Sequence, residues 1–288
     1  RQVVAFNVSG SSSSASVTAT TLAMPPTGLV LVNVWVSSLT VSWQANTDPS
    51  GTGFQVSYSS QDAFITGTGI STSTLTTATA LTLSGLNPAA THYIRLRALN
   101  ANGVFTAFDA STDAAGYIEA RTLPAMPSSS PILTPNVLGV SSISWTWTGA
   151  GSESQYRVVA TTGGALSGDL PQGTLSWLEI GLSTNTAYSR QVVAFNVSGS
   201  SSSASVTATT LAMSPTGLAL LNVWVSSLTL SWAANTNPNG TNYEARIWTL
   251  GGSTTTTSGT ATNAAFSDLV ANTTYFLSVR AVNGAGTA

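Results

Sequence analysis

Apolar and polar residues alternate one by one along much of this chain, as in residues 15–20 (ASVTAT), 38–43 (SLTVSW) and 93–98 (YIRLRA). This period of two places alternate side chains on opposite faces of a β-strand, and helical spacing is nearly absent. The outward face carries serine, threonine or arginine, which is typical of antiparallel sheets with one solvated side. Turn sequences such as 48–51 (DPSG) and 237–240 (NPNG) separate these segments. The pattern predicts an all-β chain of short strands.

An internal repeat sets the organisation of the chain. Residues 1–24 recur without a change as residues 190–213. A shorter signal, Thr-Leu followed closely by Ala-Met, recurs at Met24, Met126 and Met213, the three methionines of the chain. The spacing of these signals indicates modules of roughly 90–100 residues, each large enough to bury its own core.

Several linked positions in each module resemble the fibronectin type III domain. A tryptophan on the second strand is followed by an aromatic residue that opens the third strand and by a leucine ahead of a corner tyrosine. The matching residues are Trp43, Phe54, Leu86 and Tyr93; Trp147, Tyr156, Leu182 and Tyr188; and Trp232, Tyr243, Leu269 and Tyr275. The segment from Leu86 to Tyr93 is one residue longer than its two counterparts. The resemblance implies tandem immunoglobulin-like β-sandwiches, with the tryptophans and corner tyrosines in the cores.

Aligned in this way, the chain divides into four segments. Residues 1–24 are expected to be the C-terminal strands of a truncated module, 25–124 and 125–212 two full modules, and 213–288 a module without its last strand. Two explanations stay open at this point. The chain is either a window cut from a longer array, or its first segment completes the last module of a neighbouring chain by strand addition.

The linkers between modules are short and contain proline, unlike flexible Gly/Ser spacers. Met24, Met126 and Met213 mark the junctions, where an adaptable apolar side chain is expected to be buried between adjacent modules. The expectation is a semi-rigid, rod-like array.

The composition limits the classes of molecule that this chain is expected to bind. Serine and threonine supply 87 of 288 residues, whereas charged residues make up 6%, with a net charge of −2 and no lysine. This surface has no positive potential for nucleic acid or for an anionic membrane. No apolar run is long enough to span a bilayer, and the absence of cysteine excludes disulfides and thiolate metal sites. Since lysine commonly protects exposed strand edges, its absence favours self-association into a polymer or array.

Few residues of this chain are candidates for catalysis or metal binding. The single histidine, His92, is expected to be a solvated strand residue on the face opposite Tyr93. Asp109 and Asp113 lie in one loop without the oxygen ligands that a calcium site needs. Asp48 and its counterpart Asn237 are interpreted as turn formers. We therefore expect no catalytic, cofactor-binding or metal-binding residues.

Two surface features are candidates for glycan attachment or ligand binding. Four Asn-x-Ser/Thr sequons and the runs 71–74 and 254–257 could carry glycans; the sequons begin at Asn7, Asn196, Asn239 and Asn272. Trp35, Trp224 and Trp248 are the candidates for exposed binding aromatics, and each is equally compatible with packing at a module boundary.

Together these features predict a non-catalytic structural protein of an extracellular or cell-surface assembly, such as a filament, surface layer or stalk. The alternatives are an adhesin or binding module for polysaccharide or a host protein, and spacer domains of a secreted carbohydrate-active enzyme.

Overall fold

A computed structural model describes residues 1–61, 64–65, 67, 69–109, 116–151 and 154–288. Every named element is a β-strand and every pairing is antiparallel. The all-β prediction is therefore confirmed. The chain divides into two compact units, Arg1–Ala125 and Met126–Ala288.

The first unit contains a two-stranded hairpin and one two-sheet sandwich. Its strands are β1 (Val4–Asn7), β2 (Gly10–Ser13), β3 (Thr27–Val34), β4 (Ser38–Gln44), β5 (Gly53–Ser59), β6 (Ile70–Thr72), β7 (Ala80–Ser84), β8 (Thr91–Leu99) and β9 (Ile118–Arg121). Strands β1 and β2 pair with each other. Sheet β3-β4-β7 faces sheet β6-β5-β8-β9 across one hydrophobic core, and these strands form sandwich I.

The second unit contains two sandwiches. Sandwich II consists of β10 (Leu133–Val137), β11 (Ser142–Trp147), β12 (Gln155–Ala160), β13 (Gly163–Ala165), β14 (Ser176–Ile180), β15 (Ala187–Asn196), β16 (Gly199–Ser202) and β17 (Val206–Thr209). Sandwich III consists of β18 (Thr216–Val223), β19 (Leu228–Ala233), β20 (Asn242–Trp248), β21 (Thr254–Gly259), β22 (Asn263–Phe266) and β23 (Phe276–Val282). Each has its own core. The module limits drawn from the sequence stay a prediction.

The second strand of each sandwich shows why the alternating pattern produces this fold. On β4, Leu39, Val41 and Trp43 point inward, and the serines and threonine between them stay half-exposed. The three tryptophans at this position, Trp43, Trp147 and Trp232, are 5–6% exposed. Each contacts the aromatic residue that opens the third strand, with ring centroids 5.7–5.8 Å apart. These aromatic pairs fill the space between two sheets that pack about 10 Å apart.

The corner position differs from the prediction in sandwich I. In sandwiches II and III the hydroxyls of Tyr188 and Tyr275 each accept a hydrogen bond of 2.8 Å from a backbone N–H five residues earlier. Strand pairing aligns Tyr188 with His92 rather than with Tyr93, because each of them faces an alanine of the last strand. The leucine-to-corner spacing is then six residues in all three sandwiches.

His92 is therefore a core residue, and its predicted exposure is wrong. Its side chain is 2% exposed, and neither ring nitrogen has a hydrogen-bond partner among the described residues. Burial lowers the pKa of His92, and the nearby backbone of Asn87 offsets this in part. Tyr93 instead lies half-exposed on the outer face, where its ring contacts Tyr117 at 5.4 Å.

A buried ion pair distinguishes the core of sandwich II. Glu179 on β14 and Arg190 on β15 are 7% and 8% exposed, and the guanidinium contacts both carboxylate oxygens at 2.5–3.1 Å. The indole N–H of the fully buried Trp145 donates to the same carboxylate at 2.8 Å. In sandwich I the positions of the ion pair are occupied by Leu83 and Ile94. The sequence analysis did not identify this ion pair. Only an alignment of Glu179 and Arg190 with the apolar residues of sandwich I could have indicated that they are buried.

Candidate functional site

Asp109, one of the residues considered for chemistry, has a structural partner. A carboxylate oxygen of the buried Asp109 accepts from Leu29 N at 3.3 Å, which fixes a loop against β3. Asp113 lies outside the described residues. Within the described ranges, no group of three His, Cys, Asp or Glu side chains could hold a metal ion. None of the described segments forms a helix that is long and apolar enough to cross a membrane.

A side-chain clamp fixes the linkers at Met24 and Met213 to the sandwich that follows each of them. Asp48 Oδ1 accepts from Met24 N at 2.7 Å, and Asn237 Oδ1 accepts from Met213 N at the same distance. Asn237 also donates from Nδ2 to the carbonyls of Met213 and Ala234, at 2.7 and 2.9 Å. These two residues, interpreted from sequence as turn formers, thus also hold the linker.

A second clamp comes from the loop after the corner strand. Asn100 Nδ2 donates to Thr21 O at 3.1 Å, and Asn283 Nδ2 donates to Thr210 O at 3.2 Å. The side-chain oxygens of Asn100 and Asn283 each accept hydrogen bonds from two backbone N–H groups of their own loop. These bonds orient the amide so that its nitrogen faces the linker. The repeat signal at 21–24 and 210–213 is therefore a structural docking sequence.

Direct contacts also join sandwich II to sandwich III. Asn185 donates from Nδ2 to Thr241 Oγ1 at 2.8 Å, and its Oδ1 accepts from Gly284 N at 2.8 Å. Thr184 Oγ1 lies 3.4 Å from Asn237 Oδ1. Asn185 has a positive φ of 45°, which asparagine tolerates better than most residues and which presents its amide to the next sandwich. This junction is held by amides and hydroxyls.

The methionines themselves are not buried as expected. The side chains of Met24 and Met126 are 50% and 54% exposed, and Met213 is half-buried. Met126 covers Gly199 at the start of β16, where an added Cβ would lie 2.6 Å from its sulfur. The backbone of Met24 and Met213, rather than the side chain, makes the clamp contacts.

The outer face of sandwich I carries a stack of arginine and aromatic side chains that the sequence did not reveal. Arg95 lies 3.9 Å from the ring centre of Phe64 and 3.8 Å from that of Phe108. Arg97 lies 3.6 Å from the ring centre of Phe105 and donates to the side chain of Gln55. Burial and the neighbouring Arg97 lower the pKa of Arg95. These cation–π contacts cover the rings, so the face is a packed surface.

Of the three candidate binding aromatics, two are exposed and one is packed. Trp35 and Trp224 are 59% and 72% exposed and occupy the same turn in sandwiches I and III. Trp248 stacks on Phe276 with ring centroids 5.8 Å apart and an interplanar angle of 20°. The two exposed tryptophans lie in different units.

Antiparallel two-sheet sandwiches that follow one another along the sequence define a tandem β-sandwich protein of the immunoglobulin-like class. The model of the fibronectin type III domain matches residues 24–110 and 213–288, more than half of the chain. The chain therefore belongs to the fibronectin type III family.

Two further similarities were found. Exoglucanase B of Cellulomonas fimi is 32% identical over 294 residues, which cover 93% of this chain and 25% of Exoglucanase B. This chain thus spans a quarter of the length of that protein. The crystal structure of chicken CNTN1 FN1-FN3 domains is 17% identical with a TM-score of 0.34, and the match covers 91% of this chain and 94% of the other.

Proposed function

We propose that this chain is a non-catalytic structural segment of an extracellular protein, in which fibronectin type III sandwiches hold neighbouring parts at a set spacing. The junction between sandwiches II and III carries this proposal. Asn185 contacts two separate points of sandwich III, and Asn237 and Asn283 fix the linker between them. Contacts at several separate points resist bending in more than one direction, which a flexible tether cannot do.

The surface chemistry fits the same role. Serine and threonine side chains face solvent on the outer sides of the second strands. Asp48 and Tyr188 form structural hydrogen bonds, Asp48 with a linker and Tyr188 at a corner. Among the described residues, the arginines of sandwich I are stacked on aromatic rings, and no group of acidic residues and histidine forms a metal site. Spacing therefore accounts for more of the described residues than ligand recognition does.

A second candidate places these sandwiches within a secreted carbohydrate-active enzyme as spacer domains. The similarity to Exoglucanase B favours it, because the match extends over nearly the whole of this chain and a quarter of that protein. In this setting the segment would separate a catalytic domain from other domains without contacting the glucan itself.

The spacing role is tested by a distance measurement. The chain has no cysteine, so spin labels can be placed at single introduced cysteines. We expect a narrow distance distribution between labels at Thr162→Cys in sandwich II and Thr260→Cys in sandwich III, both exposed positions. The pair Thr162→Cys and Ser176→Cys, within sandwich II, gives the width of a rigid reference. A distribution several times broader than this reference would overturn the spacing proposal.

A pull-down assay separates a spacer from a binding module. We expect the chain to stay in solution when mixed with insoluble cellulose, xylan or chitin, and to release no reducing sugar from them. Retention on one polysaccharide that is lost in a Trp224→Ala variant, with Trp248→Ala as a control, would instead assign a binding function to the exposed tryptophan.

A further inference from the structure

Three asparagines of this chain are each followed by glycine, namely Asn102, Asn239 and Asn283. Asparagine is a thermolabile residue, and it loses ammonia when the next backbone nitrogen attacks its side-chain carbonyl carbon. Glycine favours this attack because it has no side chain to obstruct the approach and its backbone is free to rotate. The structure places the three pairs in different surroundings, so their reactivities are expected to differ.

Both reacting groups are unoccupied at Asn239. This residue and Gly240 are the exposed tip of the loop between β19 and β20, in a turn that is closed by a hydrogen bond from Thr241 N to Pro238 O at 3.2 Å. In the part of the chain that the structure describes, the N–H of Gly240 donates no hydrogen bond and the side-chain amide of Asn239 has no partner. A Cβ added to Gly240 would meet nothing within 4 Å, so there is also room for the peptide to turn.

The pair at Asn102 is equally exposed, but its nucleophile is occupied. Gly103 N donates to Asn100 O at 3.0 Å, and this bond must break before the nitrogen can attack. One hydrogen bond of ordinary strength lowers the population of the reactive form by about 10-fold. Exposure alone therefore does not make an Asn-Gly pair reactive in this fold.

The pair at Asn283 is protected on both sides of the reaction. Its amide is 5% exposed and donates to Thr210 O at 3.2 Å, while the N–H of Gly284 donates to Asn185 Oδ1 at 2.8 Å. Both groups are held by sandwich II, so this pair should react more slowly than the pair at Asn102.

Sandwich I contains the same turn without the asparagine. Thr52 N donates to Pro49 O at 3.1 Å, and Gly51 has a φ of 96°, close to the 86° of Gly240. The position of Asn239 is occupied there by Ser50. The molecule thus contains an unreactive copy of the loop.

The residues on either side of Asn239 hold sandwich III to the chain before it. Asn237 Oδ1 accepts from Met213 N of the linker at 2.7 Å. Thr241, which is 3% exposed, accepts at Oγ1 from Asn185 Nδ2 of sandwich II at 2.8 Å. The length of backbone between residues 237 and 241 therefore sets the separation of two junction contacts.

We propose that Asn239 is a site of spontaneous deamidation and that its isoaspartyl product loosens the junction between sandwiches II and III. Gly240 N forms a bond to Cγ of Asn239, and Nδ2 leaves as ammonia with the proton of Gly240 N, which produces a cyclic imide. Water then adds to one of the two ring carbonyls. Opening at Cγ gives aspartate, whereas opening at the backbone carbonyl gives isoaspartate, in which the main chain passes through the former side chain.

The isoaspartyl backbone is one methylene longer, and this methylene lies between the contacts of Asn237 and Thr241. The loop can no longer match both partners at their present separation, so we expect one of the two contacts to be lost. The loss of ammonia stands by itself, whereas the effect on the junction rests on the spacing role proposed above.

Incubation of the complete chain in weakly alkaline buffer tests the chemical step, because base removes the proton from the attacking nitrogen. Proteolysis and mass spectrometry follow each pair. We expect Asn239 to convert at least about 10-fold faster than Asn102 and Asn283 in the folded chain, and the three to convert at similar rates in urea. Equal rates in the folded chain overturn the proposal. A preference for Asn239 that persists in urea overturns it equally, because the fold would not be its cause.

Two reciprocal variants test whether the turn is responsible. Asn239→Ser copies the loop of sandwich I and should leave the loop of sandwich III unmodified. Ser50→Asn copies the loop of sandwich III and should create a second labile pair with a comparable rate. A Ser50→Asn chain that keeps its new amide throughout would show that the turn does not cause the reactivity.

Spin labels at Thr162→Cys and Thr260→Cys test the effect on the junction. We expect the distance distribution to broaden as isoaspartate accumulates, and to keep its width in an Asn239→Ser chain incubated in parallel. A fresh Asn239→Asp chain, which has the charge without the longer backbone, should also keep the narrow distribution. A broad distribution in the fresh parent chain contradicts the spacing role, whereas a narrow one that survives conversion to isoaspartate overturns the loosening proposed here.

Discussion

At the scale of single residues, His92 shows how one substitution changes the chemistry of a common position. Tyrosine buries its ring there and directs its hydroxyl to a backbone N–H, as Tyr188 and Tyr275 do. The imidazole of His92 is buried without a hydrogen-bond partner among the described residues, and burial favours its neutral form. Its folded pKa is therefore lower than the value of about 6.5 expected in the unfolded chain.

This shift gives sandwich I a pH dependence with a defined sign. Between the two pKa values the unfolded chain binds more protons, so stability is complete above about pH 6.5 and falls as the pH drops toward the lower folded pKa. We expect the melting temperature of sandwich I to fall between pH 7.5 and pH 5, followed by differential scanning calorimetry.

The variant His92→Tyr should remove this dependence and raise the melting temperature, because the hydroxyl can reach the N–H of Asn87. Tyr188→His is the matched control and should introduce the same acid sensitivity into sandwich II. An acid response that is unchanged in His92→Tyr would show that another group causes it.

The ion pair of sandwich II gives a second prediction at this scale. Arg190→Ile leaves the buried Glu179 carboxylate without its charged partner, which should reduce the free energy of unfolding by about 3–5 kcal/mol. The double variant Glu179→Leu/Arg190→Ile copies sandwich I at these two positions and should recover part of this loss, because the charge is gone but the buried indole N–H of Trp145 loses its acceptor. Urea unfolding measures both. A double variant as unstable as the single one would show that the charge is not the cause.

At the scale of elements, the loop before β15 is both a turn and a contact surface. Asn185 adopts the positive φ that the turn requires, and the same amide contacts Thr241 and Gly284 of sandwich III. The clamps at Asn237 and Asn283 belong to other loops, so three loops define one junction. The spacing of the two sandwiches thus depends on loops rather than on strands.

A pair of asparagine variants separates the two roles of that loop. Asn185→Ala loses the turn preference and two hydrogen bonds, whereas Asn272→Ala loses the preference alone, because Asn272 makes no described contact with another sandwich. At about 0.5–1.5 kcal/mol per bond, we expect Asn185→Ala to cost about 1–3 kcal/mol more than Asn272→Ala. Asn185→Ala should also broaden the distribution of spin-label distances between sandwiches II and III. Equal effects of the two variants would contradict a role in the junction.

At the scale of the whole molecule, the low charge content makes hydroxyl groups and apolar cores the main stabilising elements. The described ion pairs at the surface are Arg157–Asp169 and the contacts of Arg246 and Arg280 with Glu244. Arg280 hydrogen-bonds Glu244 and lowers the pKa of that carboxyl. Exposed pairs of this kind stabilise proteins little.

Stability should therefore be nearly independent of ionic strength. Raising NaCl from about 0.01 to about 1 M shortens the Debye length from about 30 to about 3 Å, which screens the exposed pairs almost completely. We expect the melting temperatures to fall by less than about 5 °C, because an exposed pair contributes about 0.5 kcal/mol and 1 kcal/mol corresponds to about 4–8 °C for a domain of this size. A fall of more than about 5 °C on adding salt would reveal an electrostatic contribution that the described pairs do not explain.

The alternation of apolar and hydroxyl residues was sufficient to predict the strands, because side-chain direction in a strand has a period of two, and the resemblance to the fibronectin type III domain implied the sandwiches and the buried tryptophans. The alternation could not place His92, since the histidine and Tyr93 are adjacent and only pairing with β9 shows which one points inward. It also missed the clamp roles of Asp48 and Asn237. Those roles require knowing which linker passes each turn, and that is a contact between residues 24 positions apart.

The repeated 24 residues separate what the sequence determines from what tertiary structure decides. In both copies they form a hairpin in one register, with Asn7 opposite Gly10 and Asn196 opposite Gly199, because local turn geometry and strand alternation are properties of the sequence. Burial differs completely: Val3 is 76% exposed, whereas the identical Val192 is fully buried. A strand face is covered only when a second sheet packs on it, and residues 133–180 supply that sheet and its neighbours in sandwich II. The sequence alone therefore determined the strand and its apolar face, and the surrounding fold decided whether that face became a core.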